Sequence, residues 1–346
     1  MSLPAPSATW AEPGAEEVAP GVWRIPLPLP GDGLRAVNVY ALRDRGRLTL
    51  IDGGWALDAA RDALEWALRA LGSGIGDIGR FLVTHAHRDH YTQAVAIRAQ
   101  FGSRVLIGAG EAHAIERLVR PGHPALQVQF DLLASLGAEP ILAALHAVGI
   151  RADIRDTGYE RPDEYLEDGT AIRIGERTVR AIATPGHTRG HLVFHDRTGG
   201  LLFAGDHVLP HITPSVAFEV DPNHLALRDY LASLRAVRAL PDAMLLPAHG
   251  PAGASVHARV DELLDHHDTR LAVCAALLGP DPVTAYEVAR RMDWTSRRRR
   301  LTELDPFNQM LAVLETALHL NLLVHRGRAR TRDRDGVHRY QALTAR

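Results

Sequence analysis

The stretch that most narrows what this chain can become is THAHRDH, residues 84–90, which puts His85, His87, Asp89 and His90 within six positions directly after the apolar run RFLV. A His-x-His pair leaving a strand can turn two imidazoles to one side, and Asp89 and His90 follow as the chain bends toward a helix. Divalent cations accept this mixture of imidazole and carboxylate. Four donors so close together need partners, and the same pattern recurs downstream: His187 follows AIATPG, Asp206 follows LLFAG and His249 follows AMLLPA. Each is a donor at the end of an apolar run. Strand ends are where α/β folds collect function, so strands from distant parts of the chain are expected to converge on one place.

The remaining pattern supports an α/β chain. Runs of β type over 22–29, 36–42 and 47–52 predict an opening meander, followed by a helix over 56–71, a strand over 80–84, a helix over 92–101 and a strand over 103–108. A helix-rich stretch reaches from 111 to about 150. The second half repeats the scheme, with strands over 170–174, 178–184, 191–196 and 200–206, a helix over 223–240 and a strand running into a loop over 243–250. Beyond 280 the order changes to short helix, long helix and two strands joined by an Asp-Gly turn, which is the order of a winged helix. The expected organisation is an extension over 1–20, a catalytic domain over 21–272 with a helical insert or lid at 111–168, and a winged-helix-like domain over 280–346.

On these motifs the chain resembles the metallo-β-lactamase superfamily, in its glyoxalase II and lactamase-β-like branch. HAHRDH matches that family's H-x-H-x-D-H, and TPGHTRGH, AGD and PAHG match its later motifs in order. The resemblance implies a four-layered αββα sandwich and two metal ions, zinc first, with manganese or iron as alternatives. By the same likeness His85, His87 and His187 hold one ion, Asp89, His90 and His249 hold the other, and Asp206 bridges them; Asp89 and Asp206 also count as catalytic. Two cations about 3.5–4 Å apart repel, so a shared carboxylate and a shared hydroxide hold them together, and that hydroxide is a nucleophile at neutral pH.

Asp52, in LIDGG, is a candidate for orienting a ligand, with a strand-ending turn as the alternative. Tyr91, His191 and His207 lie beside ligands in sequence and are candidates for facing the substrate or donating a hydrogen bond, with simple packing as the alternative. Where many relatives carry Gly-Gly after the first motif, this chain has Tyr91, Thr92 and Gln93, so a differently shaped pocket is expected. No cysteine lies near any ligand motif and a bridging aspartate is present, which argues against antibiotic hydrolysis.

The resemblance leads to a hydrolase in which metal-bound hydroxide attacks a carboxylic-acid derivative. The expected substrate is a small-molecule or carrier-bound acyl thioester, of coenzyme A or a carrier protein. The alternatives are an endoribonuclease acting on RNA, a lactonase, and a mononuclear iron persulfide dioxygenase. Leucine-rich runs between 111 and 168 suit an acyl chain or a homodimer contact. The basic residues are all arginine, and residues 281–346 carry 13 of them against 8 acidic residues, including the run RRRR at 297–300. This is the one nucleic-acid-like feature, and no aromatic residues interleave it to stack bases. The net charge of −2 gives no whole-chain bias toward polyanions. The lone Cys274 excludes an internal disulfide, and the N-terminal sequence lacks a basic segment followed by an apolar one, so a cytoplasmic location is expected. No run resembles the ~18 apolar residues of a membrane span, and no membrane partner is expected.

Overall fold

The computed structural model describes residues 8–31, 33–120, 122–153, 157–295 and 297–343. A seven-stranded sheet contains β1 (Glu16–Ala19), β2 (Val22–Pro28), β3 (Ala36–Asp44), β4 (Arg47–Ile51), β5 (Ile78–Val83), β6 (Arg104–Gly108) and β7 (Glu164–Leu166), in that spatial order. Its first four strands form an antiparallel meander, and from β4 onward the neighbours are parallel. Parallel neighbours need a crossover. Helix α1 (Asp58–Ala70) connects β4 to β5, and α2 (Arg88–Phe101) connects β5 to β6. Helix α2 starts at Arg88 rather than near 92, because His87 has extended backbone at its N-cap and the ligand motif itself forms the first turn.

A second sheet is formed by β8 (Ala171–Ile174), β9 (Arg177–Ala183), β10 (Leu192–Asp196), β11 (Leu201–Gly205) and β12 (Met244–Pro247), in the order β12-β11-β10-β9-β8. The two sheets share one core: Tyr40, Ile51, Leu82 and Leu106 from the first pack with Val179, Leu192, Phe194, Phe203 and Leu246 from the second. This is the expected sandwich of two sheets. Its consequence for function lies at the carboxyl ends of β5, β9, β11 and β12, which deliver residues 84–90, 184–191, 206 and 249. Strands β1 and β7 are additions to the sequence reading. They are short edge segments without the apolar alternation that marks a strand.

By compactness the chain divides into two units. The first comprises Met1–Arg120, Thr157–Pro214 and Ala232–Asp261, and the second Pro121–Asp156, Ser215–Leu231 and Glu262–Arg346. The expected boundaries do not coincide with this division. Helices α4 (Gln127–Ser135) and α5 (Glu139–Ala147), read as an insert in the catalytic domain, pack on α9 (Pro306–His325), because each has an apolar face and α9 is buried along most of its length. Between α3 (Ala112–Leu118) and α9 the chain also forms α6 (Ala226–Arg238), α7 (Val256–Leu277) and the short α8 (Ala285–Ala289), and the boundary at 261 and 262 falls inside α7.

Strands β13 (Val283–Thr284), β14 (Ala329–Arg334) and β15 (Val337–Ala342) form a small sheet ordered β13-β15-β14, with the anticipated turn at Asp335-Gly336, both residues having positive φ. Helix α9 is long and apolar enough to cross a membrane, contrary to the sequence reading. It is a core helix instead, with Met310, Val313, Leu314, Leu320 and Leu323 buried.

Candidate metal centre

Three of the site's imidazole rings are fixed from behind by hydrogen bonds. Thr84 directs its hydroxyl to the Asp52 carboxylate (3.0 Å), so the His85 Nδ1–H donates to Thr84 Oγ1 (3.0 Å) and His85 presents Nε2 forward. His90 donates Nδ1–H to Asp52 Oδ2 (2.9 Å), and His249 donates Nδ1–H to the backbone oxygen of Ala36 (2.8 Å). Each turns Nε2 toward the centre of the site. A ligating histidine whose other nitrogen donates to a carboxylate or carbonyl has a set orientation and greater basicity.

Two clusters result. In the first, His187 Nε2 stands 3.2 Å from His85 Nε2 and 3.0 Å from His87 Nδ1. These separations are close to the edges of a tetrahedron around an ion with about 2.0–2.1 Å bonds. In the second, His249 Nε2 lies 3.5 Å from Asp89 Oδ2, and His90 Nε2 lies 3.6 Å from the same oxygen. Asp206 faces both clusters. Its Oδ1 is 3.4 Å from His249 Nε2 and 3.7 Å from His90 Nε2, while Oδ2 is 3.5 Å from His187 Nε2. His90 Nε2, His249 Nε2 and Asp206 Oδ1 are buried without a hydrogen-bond partner among the described residues. Convergent, desolvated polar atoms of this kind are costly unless a shared cation satisfies them. The donors present therefore fit two divalent ions.

Electrostatics separates the clusters. Burial holds His85 and His87 below the ordinary imidazole value, His87 at about 3, and the neighbouring imidazoles add to the effect. At His90 burial acts in the same direction, but Asp89, Asp52 and Asp206 outweigh it and push the ring up to about 9; His249 is likewise raised by Asp206 and Asp89. Burial would raise Asp89 and Asp206, yet the surrounding imidazoles hold both carboxyls below the usual range. In the metal-free protein protons on His90 and His249 balance the carboxylates, and a metal displaces them.

The other sequence candidates take supporting places. Asp52, at φ 61°, accepts from the Thr84 backbone N–H (2.7 Å) as well as from His90, so it joins the end of β4 to the ligand loop. His191 accepts the Asp206 backbone N–H at Nε2 (3.1 Å) and donates Nδ1–H to Thr184 Oγ1 (2.8 Å), which leaves neither nitrogen for a substrate. Gly205 precedes Asp206 at φ 50°, and a Cβ there would lie 2.7 Å from His191 Nε2. His207 is fully buried, and burial pushes it down to about 3. Tyr91 is buried with its ring stacked on Tyr159 and its hydroxyl donating to Glu160 O (2.7 Å).

Thr92 and Gln93 turn toward the loop after β4, with Thr92 Oγ1 accepting from Ala56 N–H and Gln93 donating to Gly53 O. The Tyr-Thr-Gln segment is thus fixed to the scaffold rather than presented to substrate. Sequence reasoning missed Thr84, although it adjoins His85. It also missed Asn38, which donates to Pro247 O and Gly250 O on either side of His249, and Glu111, whose buried carboxylate accepts from Thr188 beside His187. Only long-range contacts give these residues a role.

A family model described as the metallo-β-lactamase superfamily matches residues 32–249. The probable metallo-hydrolase YqjP of Bacillus subtilis is 26% identical, with 87% of this chain and 90% of that protein covered. The atrochrysone carboxyl ACP thioesterase AgnL7 of Paecilomyces divaricatus is 26% identical over 77% of this chain and 67% of its own length. The crystal structure of a metallo-β-lactamase family protein from Thermus thermophilus superposes with a TM-score of 0.74 at 29% identity, covering 94% of this chain and 99% of that one.

Proposed function

The chain belongs to the metallo-β-lactamase superfamily, and from that membership and the two-sided placement of Asp206 we propose that it is a dinuclear zinc hydrolase of acyl thioesters. Zinc suits the mixture of five imidazoles and two carboxylates. His85, His87 and His187 would hold one ion and Asp89, His90 and His249 the other, with Asp206 contributing one oxygen to each. When bound, two such ions supply an activated water and polarise the carbonyl under attack. The chain's own residues fix the geometry: Asp52 and Thr84 lock His90 and His85, Ala36 locks His249, and His191 holds the backbone of Asp206. Preorganised donors in a buried site need no rearrangement during the reaction.

The thioester reading draws on the similarity to AgnL7 and on the state of the arginine run. Arg298 donates to Asp293 Oδ2 (2.9 Å) and Arg300 pairs with Asp293 Oδ1 (3.0 Å), so one carboxylate partly neutralises the most basic segment of the chain. We read β13, α8, α9, β14 and β15 as a winged-helix-like module whose role here is not RNA binding. The test is a panel of acyl-coenzyme A and acyl-carrier substrates set against single-stranded RNA, using zinc-loaded protein. Hydrolysis of thioesters that a chelator abolishes is expected. Efficient metal-dependent cleavage of RNA with no turnover across the panel would overturn the substrate class, and tight binding of one iron with no second ion would overturn the dinuclear centre.

A further inference from the structure

We propose that His266 and His267 of α7 and Glu315 of α9 form a third, mononuclear transition-metal site in the second unit, separate from the hydrolytic centre. One ligand atom from each of these residues lies within 4.8 Å of the others. The hydrogen-bond chain beside them fixes which nitrogen of His267 is left bare. His319 donates Nδ1–H to the backbone oxygen of Glu315 (2.8 Å), so its Nε2 is an acceptor. His267 Nδ1 stands 3.2 Å from that nitrogen and must be the donor. His267 Nε2 is then a bare lone pair, fully buried and without a hydrogen-bond partner among the described residues.

A buried acceptor with no donor is costly, and a neutral imidazole whose opposite nitrogen donates to a fixed partner has the arrangement of a metal ligand. The ring is held on both sides. His319 stacks on it with centroids 5.3 Å apart, and Tyr230 meets it edge-on at 5.5 Å. The His266 ring lies nearly perpendicular to it at 5.2 Å and keeps solvent access, which provides a route of entry. Arg270, the nearby cation, has its guanidinium stacked on Trp294 and donating to Asp293 O. Two imidazoles and a carboxylate suit zinc, cobalt or nickel, with water completing the coordination.

The experiment loads the full-length protein with Co2+ or Zn2+, removes unbound metal and measures metal per chain in wild type, Glu315→Gln and His266→Gln. Neither variant touches the hydrolytic centre, and the glutamine in the first keeps the shape of the side chain it replaces. Each variant is expected to bind one ion fewer than wild type, to lose one set of Co2+ absorption bands and to keep wild-type turnover. Equal metal content in all three proteins overturns the proposal. Because the readout is a difference of one ion, it stands whether the hydrolytic centre binds two ions, one or none.

Discussion

Two groups of buried histidines in this molecule have opposite electrostatic character. In the half of the hydrolytic centre that holds His90 and His249, nearby carboxylates outweigh burial, and three of them push His90 up to about 9. Between α7 and α9 the one carboxylate of the cluster is Glu315, and the Arg270 charge acts on the group as well. Burial therefore prevails there, holding His319 down to about 4 and His267 well below the ordinary value. The same side chain carries a proton in one place and a bare lone pair in the other. Carboxylates within reach, not burial, make the difference.

The strongest way to break this contrast is to remove the carboxylate that serves both halves of the hydrolytic centre. Asp206→Ala should lower turnover by on the order of 10³-fold or more and release at least one metal ion, with an unchanged circular dichroism spectrum. Near wild-type activity and full metal content would show that Asp206 does not join the two clusters. A smaller effect is expected at Asp52, which reaches the metals only through His90 and Thr84. Asp52→Asn should weaken metal affinity or activity by about 10- to 100-fold, measured by chelator competition and steady-state kinetics. No change in either would reduce Asp52 to a turn residue.

The smallest effect, and the one that sharpens the comparison most, is the pH dependence of stability in metal-free protein. His90 in the fold keeps its proton up to about pH 9, whereas the unfolded chain releases it near 6.5, so its stabilisation is complete below pH 6.5 and is lost as pH rises toward 9. His319 behaves in the opposite sense. Its depressed value means that its contribution is present above pH 6.5 and is lost as pH falls toward 4, and His87 adds to the same acid limb. Each group contributes at most about 1.4 kcal/mol per pH unit. Urea unfolding in a chelator across pH 4–9 should show both limbs, and His319→Gln should flatten only the acid one. An unaltered acid limb in that variant would show that His319 is not the group responsible.

The seven donors of the hydrolytic centre were legible because each follows an apolar strand within a few positions, and a strand end is a local event. The cluster at 266, 267 and 315 was not. Helix α7 was not read from the sequence, and the buried His267 sits where an apolar residue would complete the helical period. The residues that hold the ligands from behind were hidden for a related reason. Asn38 lies more than two hundred positions from the loop it secures, and nothing near it in sequence marks the connection.

By itself, then, the sequence determined the order of most strands and helices and pointed to the candidate metal donors, since propensity, periodicity and strand-end placement act over a few residues. Tertiary structure decided what those donors are worth. It set which nitrogen of each histidine faces inward and turned the two oxygens of Asp206 toward different clusters. It also brought α4 and α5 onto α9. Each of these depends on groups far apart in the chain meeting in a medium of low dielectric, where one hydrogen bond or one carboxylate fixes a proton's position.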